Sequence, residues 1–114
     1  MYKGCNTRLS TLTIAVLSAF ALINPLKKNK LKKGDEFIIP SLCWSTSLWP
    51  FVQAGLKPKF IDVDIDNFCL DYNLINNNYY NNCKAIVNIH ILGNCSNIEK
   101  IKKYSEKKNI HLIE

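Results

Sequence analysis

The chain has 114 residues, with 15 lysine and arginine residues against 9 aspartate and glutamate residues and a formal net charge of +6. Apolar residues make up 47% of it and charged residues 21%, which is the composition of a folded globular domain and not of a disordered segment. The length allows one domain at most and excludes a complete two-domain metabolic enzyme. The charge comes almost entirely from lysine without interleaved arginine, so we predict no nucleic-acid partner.

The five cysteines are dispersed along the chain, at Cys5, Cys43, Cys69, Cys83 and Cys95. They form no Cys-x-x-Cys pair, and their number is odd, which argues against both a disulfide framework and a zinc site. We therefore predict small, buried or half-buried thiols in a reducing cytoplasm.

Residues 9–23 form an apolar stretch after a basic start, and the residues alone leave two interpretations open. The stretch contains Ala19-Phe20-Ala21, which is typical of a secretory signal peptide. It is too short to span a bilayer, which needs about 20 apolar residues. The alternative is a buried helix that begins near Ser10 and Thr11 and ends at Asn24-Pro25.

Downstream of this stretch, short apolar strands alternate with helices. The sequence predicts strands at 36–39, 57–63, 84–90 and 111–113. It predicts a helix within 42–54 that is broken by Pro50 or starts near it and is capped at its C-terminus by Gly55, and an amphipathic helix at 97–109. The remaining elements are a turn at 32–35 with Gly34 at positive φ and a polar surface loop around a short helix at 64–82. This alternation predicts an α/β fold with a mostly parallel sheet covered by helices on both faces. Ligands bind at the carboxyl ends of such strands, so we expect the functional residues at 40–44, 62–66 and 90–94.

Two side chains at these strand ends are candidates for a ligand site. Trp44 follows the first strand, and its flat indole can stack on a planar ligand or pack in the core. His90 ends the third strand and is a candidate for lining the site. Near the amino terminus, Ser10 and Thr11 at a helix start can bind a phosphate or simply cap the helix.

A metal site is not expected from the pattern. The alternating aspartates at 62–66 resemble the start of a calcium loop, but Asn67 stands where that loop needs glycine and Asn73 where it needs glutamate. His90 and His111 have no second ligand at metal spacing. We expect the aspartates to end a strand and cap the turn that follows.

Four sequence blocks and one tryptophan stand in an order that is typical of one enzyme family. They are Lys33-Gly-Asp-Glu-Phe-Ile-Ile-Pro-Ser41, Trp44, Gly55-Leu-Lys-Pro-Lys-Phe-Ile-Asp-Val-Asp64, Lys84-Ala-Ile-Val-Asn-Ile-His-Ile-Leu-Gly93 and Ile110-His-Leu-Ile-Glu114. The series resembles the DegT/DnrJ/StrS family of pyridoxal-phosphate-dependent sugar aminotransferases, which have the aspartate aminotransferase fold (fold type I). The resemblance implies that residues 10–114 are the N-terminal part of the large, cofactor-binding domain, truncated at its C-terminal end, after an atypical N-terminus at 1–9. It also favours the buried helix over a signal peptide.

The resemblance further implies how the chain holds pyridoxal phosphate (PLP). Ser10 and Thr11 match the pair that binds the phosphate, although Leu9 stands where the family usually has a small residue. Trp44 matches the aromatic residue that stacks on the pyridine ring. The aspartate that pairs with the pyridinium nitrogen and the Schiff-base lysine are expected beyond Glu114, so the chain by itself is expected to be inactive.

The activity implied is the transfer of an amino group from an amino acid to a nucleotide-linked keto-sugar, for polysaccharide or glycan biosynthesis. The parent enzyme is expected to be a cytoplasmic homodimer without a membrane partner. Residues 89–94 look closer to the branch that contains the sugar 3-dehydratases, in which histidine replaces the Schiff-base lysine, so dehydration is the first alternative. A small non-catalytic α/β binding domain and a secreted protein with a cleaved leader are the other two.

Overall fold

The computed structural model describes residues 31–114, in which four parallel strands form one sheet. The strands are β1 (Glu36–Pro40), β2 (Lys57–Ile61), β3 (Cys83–Val87) and β4 (His111–Ile113), in the order β2-β1-β3-β4. The helices are α1 (Ser45–Gln53) and α2 (Ile98–Lys108). The predicted α/β class and parallel sheet are confirmed, whereas the predicted helix at 9–23, with Ser10 and Thr11, lies outside the described residues.

Both faces of the sheet are covered because its inner strand β1 has apolar side chains on both faces. Successive residues of a strand point to opposite faces. Phe37 and Ile39 therefore lie in one apolar cluster with Phe51 of α1, and Ile38 lies in the other with Ile101 of α2. All five side chains are almost fully buried, which fixes one helix on each face of the sheet.

Helix α1 differs from its prediction at its start. It begins at Ser45 and runs through Pro50, so the expectation of a helix from residue 42 that breaks or starts at the proline was wrong. A proline removes one backbone donor, and packing of the buried Pro50 and Phe51 against the sheet outweighs that loss. Trp44 stands just ahead of the helix with an extended backbone, at φ −73° and ψ 146°.

The end of α1 follows its prediction. Gly55 has φ +86° and donates its N–H to the carbonyl of Val52 at 2.9 Å, while Leu56 donates to Phe51 at 3.0 Å. This pair of hydrogen bonds is a Schellman motif, in which glycine accepts the left-handed conformation readily. The motif turns the chain directly into β2.

The segment at 64–82 is more buried than the predicted surface loop. It contains two short 3₁₀ turns, Tyr72–Leu74 and Asn78–Tyr80, in which the N–H of the second residue donates to the side chain of Asp71 or Asn77. Its apolar residues are nonetheless buried in the cluster that covers the α2 face of the sheet, and they include Leu70, Ile75 and Tyr80. Single apolar residues between asparagines are a weak signal of burial, so the sequence pattern predicted less burial in this segment than the structure shows.

Candidate functional site

A cavity of about 540 Å³ opens at the carboxyl edge of the sheet. Its walls come from residues 42–45, which follow β1, and from residues 89–92, which follow the neighbouring strand β3. The volume falls within the range of roughly 300–1,000 Å³ that small-molecule sites occupy. The structure thus brings two of the predicted strand ends together, and with them Trp44 and His90.

Trp44 stands at the rim of this cavity with its side chain largely in solvent. The residue is 80% exposed, so the indole does not pack in the core of the described residues. The backbone carbonyl of Trp44 accepts the N–H of Ser47 at 2.9 Å in the first turn of α1. This hydrogen bond holds the backbone of Trp44 at the start of the helix. A large aromatic surface held at a cavity mouth is available to stack on a planar ligand.

His90 is held by Glu114, a contact that the sequence pattern did not predict. The imidazole Nε2 lies 2.8 Å from Oε1 of Glu114. Nε2 also lies 3.5 Å from the amide Nδ2 of Asn88, whereas Nδ1 of His90 is buried without a hydrogen-bond partner among the described residues. The parallel pairing of Val87 with Ile113 explains the contact, because it sets the residues that follow both strands side by side.

A buried polar pair supports the same strand end. Asn88 and Ser96 are each at most 5% exposed, and the hydroxyl of Ser96 donates to Oδ1 of Asn88 at 2.8 Å. The backbone N–H of Asn88 donates to the carbonyl of Ile113 at 2.8 Å, which extends the β3–β4 pairing toward the site. Asparagine within an apolar run was the only sequence signal of this pair.

The cavity is mostly apolar and contains no activated thiol. Among its lining side chains, Ser45 contributes a hydroxyl and His90 an imidazole, and the others are apolar or Cys43. Burial raises the pKa of the Cys43 thiol, so the thiol is protonated at neutral pH. The site can therefore bind and orient a ligand, but Cys43 is not a nucleophile in it.

The aspartates at 62–66 cap turns, as predicted. Oδ1 of Asp64 accepts the N–H of Asp66 at 2.9 Å, and Oδ1 of Asp62 accepts the N–H of Val63 at the same distance. Within residues 31–114, no group of three or more histidine, cysteine or acidic side chains is placed to hold a metal ion. In that same range no helix is long and apolar enough to cross a membrane.

Comparison with known proteins identifies the family. The model of the DegT/DnrJ/EryC1/StrS aminotransferase family matches residues 6–114. The chain belongs to this family. The resemblance carried by the sequence blocks is thereby confirmed.

Two curated relatives have different reactions. The chain is 40% identical over 88 residues to GDP-4-keto-6-deoxy-D-mannose 3-dehydratase of Escherichia coli O55:H7, an alignment that covers 77% of this chain and 23% of the relative. It is 35% identical over 81 residues to UDP-4-amino-4-deoxy-L-arabinose–oxoglutarate aminotransferase of Shewanella sediminis, which covers 71% of this chain and 21% of that relative. The chain thus spans about a quarter of the length of the curated relatives it matches.

A solved structure confirms the fold type. The E. coli GDP-4-keto-6-deoxy-D-mannose-3-dehydratase with bound hydrated PLP matches 90% of this chain and 26% of its own, with a TM-score of 0.81 and 37% identity. The four-stranded parallel sheet described above is therefore part of the fold type I architecture of PLP-dependent sugar enzymes.

The described residues fit a planar cofactor such as PLP on three observations. The indole of Trp44 is exposed at the cavity mouth, the cavity has the volume of a ligand site, and Nδ1 of His90 is a buried ring nitrogen without a hydrogen-bond partner in the described part of the chain. Of the predicted site residues, the structure places Trp44 and His90 together, and Ser10 and Thr11 lie outside residues 31–114.

Proposed function

We propose that this chain forms one wall of the cofactor site of a PLP-dependent enzyme that acts on a nucleotide-linked keto-sugar. The observation that carries the proposal is the exposed indole of Trp44 at the rim of a largely apolar cavity, at the carboxyl edge of a parallel sheet. Family membership and the PLP-bound relative support the choice of cofactor.

In this proposal each candidate residue has one task. Trp44 stacks on the cofactor ring and orients it, while Ser10 and Thr11 bind its phosphate through hydroxyl and backbone N–H groups. His90, held by Glu114, lines the same cavity and provides a ring nitrogen, Nδ1, that can hydrogen-bond to the ligand. When bound, PLP supplies an electron sink, and the protein contributes binding, orientation and the exclusion of water.

We propose dehydration at C3 of a 4-keto sugar as the first candidate reaction. The 3-dehydratase of E. coli has the higher identity of the two curated relatives described above, and its solved structure matches the sheet closely. Amino transfer to the keto group is the second candidate, and it is supported by the family description and by the 35% identical aminotransferase. An amino-acid donor and a cytoplasmic homodimer complete the proposal.

The identity of the product distinguishes the two reactions. The protein at its full natural length is incubated with PLP, glutamate and GDP-4-keto-6-deoxy-D-mannose, and the product is examined by mass spectrometry and NMR. Loss of the C3 hydroxyl group supports dehydration, whereas a sugar amine in place of the keto group supports amino transfer. A nucleotide sugar recovered unchanged, with no PLP retained by the protein, contradicts the proposed function.

A further inference from the structure

The turn that follows β3 contains a leucine in a conformation that leucine rarely adopts. Leu92 has φ 52° and ψ 27°, Gly93 has φ 82°, and Asn94 donates its N–H to the carbonyl of Ile91 at 2.8 Å. Two successive central residues with positive φ define a type I′ turn, in which asparagine followed by glycine is favoured. A leucine in the first of these positions is strained by the contact of its Cβ with the backbone.

The leucine side chain gains no burial from this strain within the described residues. Leu92 is 95% exposed, although it lines the same cavity as Trp44. A residue that is both strained and unburied is a candidate for a functional contact.

Contacts with the loop that follows β2 hold this turn in place. Nδ2 of Asn94 donates to the carbonyl of Asn67 at 3.2 Å, and the Sγ of the buried Cys69 lies 3.3 Å from the carbonyl oxygen of Asn94. These contacts fasten the turn to the loop after β2. Leu92 therefore projects from an anchored turn at the cavity mouth.

We infer that Leu92 is a specificity-determining residue that packs against the C6 methyl group of a 6-deoxy sugar bound at the mouth of this cavity, beside the cofactor. The inference rests on the proposed function and deepens it by naming the part of the sugar that is recognised. It applies to the dehydration candidate, which acts at another carbon of the ring; the curated aminotransferase described above is named for an arabinose, a pentose without a C6 methyl group.

The chemistry of the sugar explains the choice of contact. Most ring substituents of a hexose are hydroxyl groups, and the methyl group of a 6-deoxy sugar is its exposed apolar substituent. An exposed leucine side chain is stabilised by covering a methyl group, whereas a 6-hydroxyl group would lose water against it without a hydrogen bond. An apolar contact of this kind discriminates by about 10- to 200-fold.

The test uses Leu92→Asn, which suits the type I′ turn better than leucine and removes the apolar contact. The protein at its full natural length is assayed with GDP-4-keto-6-deoxy-D-mannose and with its 6-hydroxy analogue, and the dissociation constant of each is measured as well as kcat/KM. We expect the preference for the 6-deoxy sugar to fall about tenfold, with an unchanged or higher Tm. Leu92→Gly, which also accepts positive φ, should give the same loss.

Ile65→Asn is the matched control, because Ile65 is 83% exposed and does not line the cavity. Its preference between the two sugars should equal that of the wild type. An unchanged preference in both Leu92 variants, or an equal loss for both sugars, overturns the role of Leu92 while the proposed function stands. A wild-type protein that binds neither sugar overturns the proposed function and this inference with it.

Discussion

At the scale of single residues, the two tryptophans give the sharpest contrast in the molecule. Trp44 and Trp49 are both well exposed, at 80% and 54%, and they lie five positions apart at helix α1. Trp44 lines the cavity, and Trp49 does not. Exposure alone therefore does not mark the candidate site, and it is the placement after β1 that gives Trp44 its proposed role.

Replacing Trp44 by alanine should weaken PLP binding by about 2- to 12-fold in the protein at its full natural length. Stacking contributes about 0.5–1.5 kcal/mol beyond buried area, and 1.4 kcal/mol corresponds to a factor of ten. Equilibrium dialysis against PLP measures the change, and Trp44→Phe should recover most of the affinity. Trp49→Ala serves as the control; equal affinities for all three variants and the wild type would refute stacking on Trp44.

A second prediction at this scale concerns Cys83 at the start of β3. Burial, and secondarily the charge of Glu36, raises the pKa of this thiol from the ordinary value of 9.0 to about 11, although Lys59 acts in the opposite direction. The pKa of the thiol is higher in the folded protein than in the unfolded chain, so the unfolded chain loses this proton first as the pH rises. The contribution of the thiol to the unfolding free energy is therefore complete below about pH 9 and decreases as the pH rises to 11.

The stability that Cys83 contributes relative to Cys83→Ala should therefore decrease between pH 8 and pH 11. Urea unfolding in the presence of a reductant, performed on both proteins at each pH, measures this difference. Comparing the two proteins cancels the tyrosine contributions in the same range, apart from the smaller part of the raised pKa of Tyr80 and Tyr104 that the charge of Cys83 causes. A difference in unfolding free energy that does not vary with pH would show that the thiol is not buried as described.

At the scale of elements, apolar runs predicted the strands well, because a strand buried on both faces has a continuous apolar sequence. The predicted strands at 57–63 and 84–90 end earlier, at Ile61 and Val87, because the last residue pairs with the neighbouring strands are there, and within the described residues only the N–H of Asn88 continues the hydrogen bonding beyond Val87. The start of α1 was missed because Pro50 is a strong breaker signal that tertiary packing overrides.

The candidate site was predictable only in part. Trp44 and His90 were predicted as site residues because parallel strands gather their carboxyl ends at one edge; the structure places both at one cavity, and their roles remain predictions. The contact between His90 and Glu114 and the strained turn at Leu92 depend on pairing register and backbone angles, and a sequence pattern does not contain either.

Two turns, one before β1 and one after α1, each contain a glycine and give a prediction for glycine substitutions. Gly34 and Gly55 both have positive φ, and the N–H of Gly34 donates to the carbonyl of Gly55 at 2.8 Å. A Cβ added at Gly55 would lie 2.6 Å from Cγ of Lys33, whereas one added at Gly34 would meet nothing within 4 Å.

Gly34→Ala should lower the unfolding free energy by about 1–2 kcal/mol through backbone strain alone. Gly55→Ala should lower it further, because the new methyl group also displaces the Lys33 side chain near its base. Denaturant unfolding of both variants gives the comparison. Equal losses would mean that the packing between the two turns is looser than described.

At the scale of the whole molecule, the sheet acts as a frame that brings distant segments to one edge. Residues 42–45 and 89–92 lie more than forty positions apart in the sequence and share one cavity. The family match covers residues 6–114, and the solved relative, which has PLP bound, matches the fold of this chain. The central hypothesis is that Ser10 and Thr11 complete the site on the same side as Trp44.

A crystal structure of the protein at its full natural length with PLP tests this hypothesis most directly. We predict that the pyridine ring stacks on the indole of Trp44 at about 3.5–4.0 Å, and that its phosphate accepts hydrogen bonds from Ser10 and Thr11. A ring bound elsewhere, or two hydroxyl groups on the opposite side of the sheet from the indole, would contradict it.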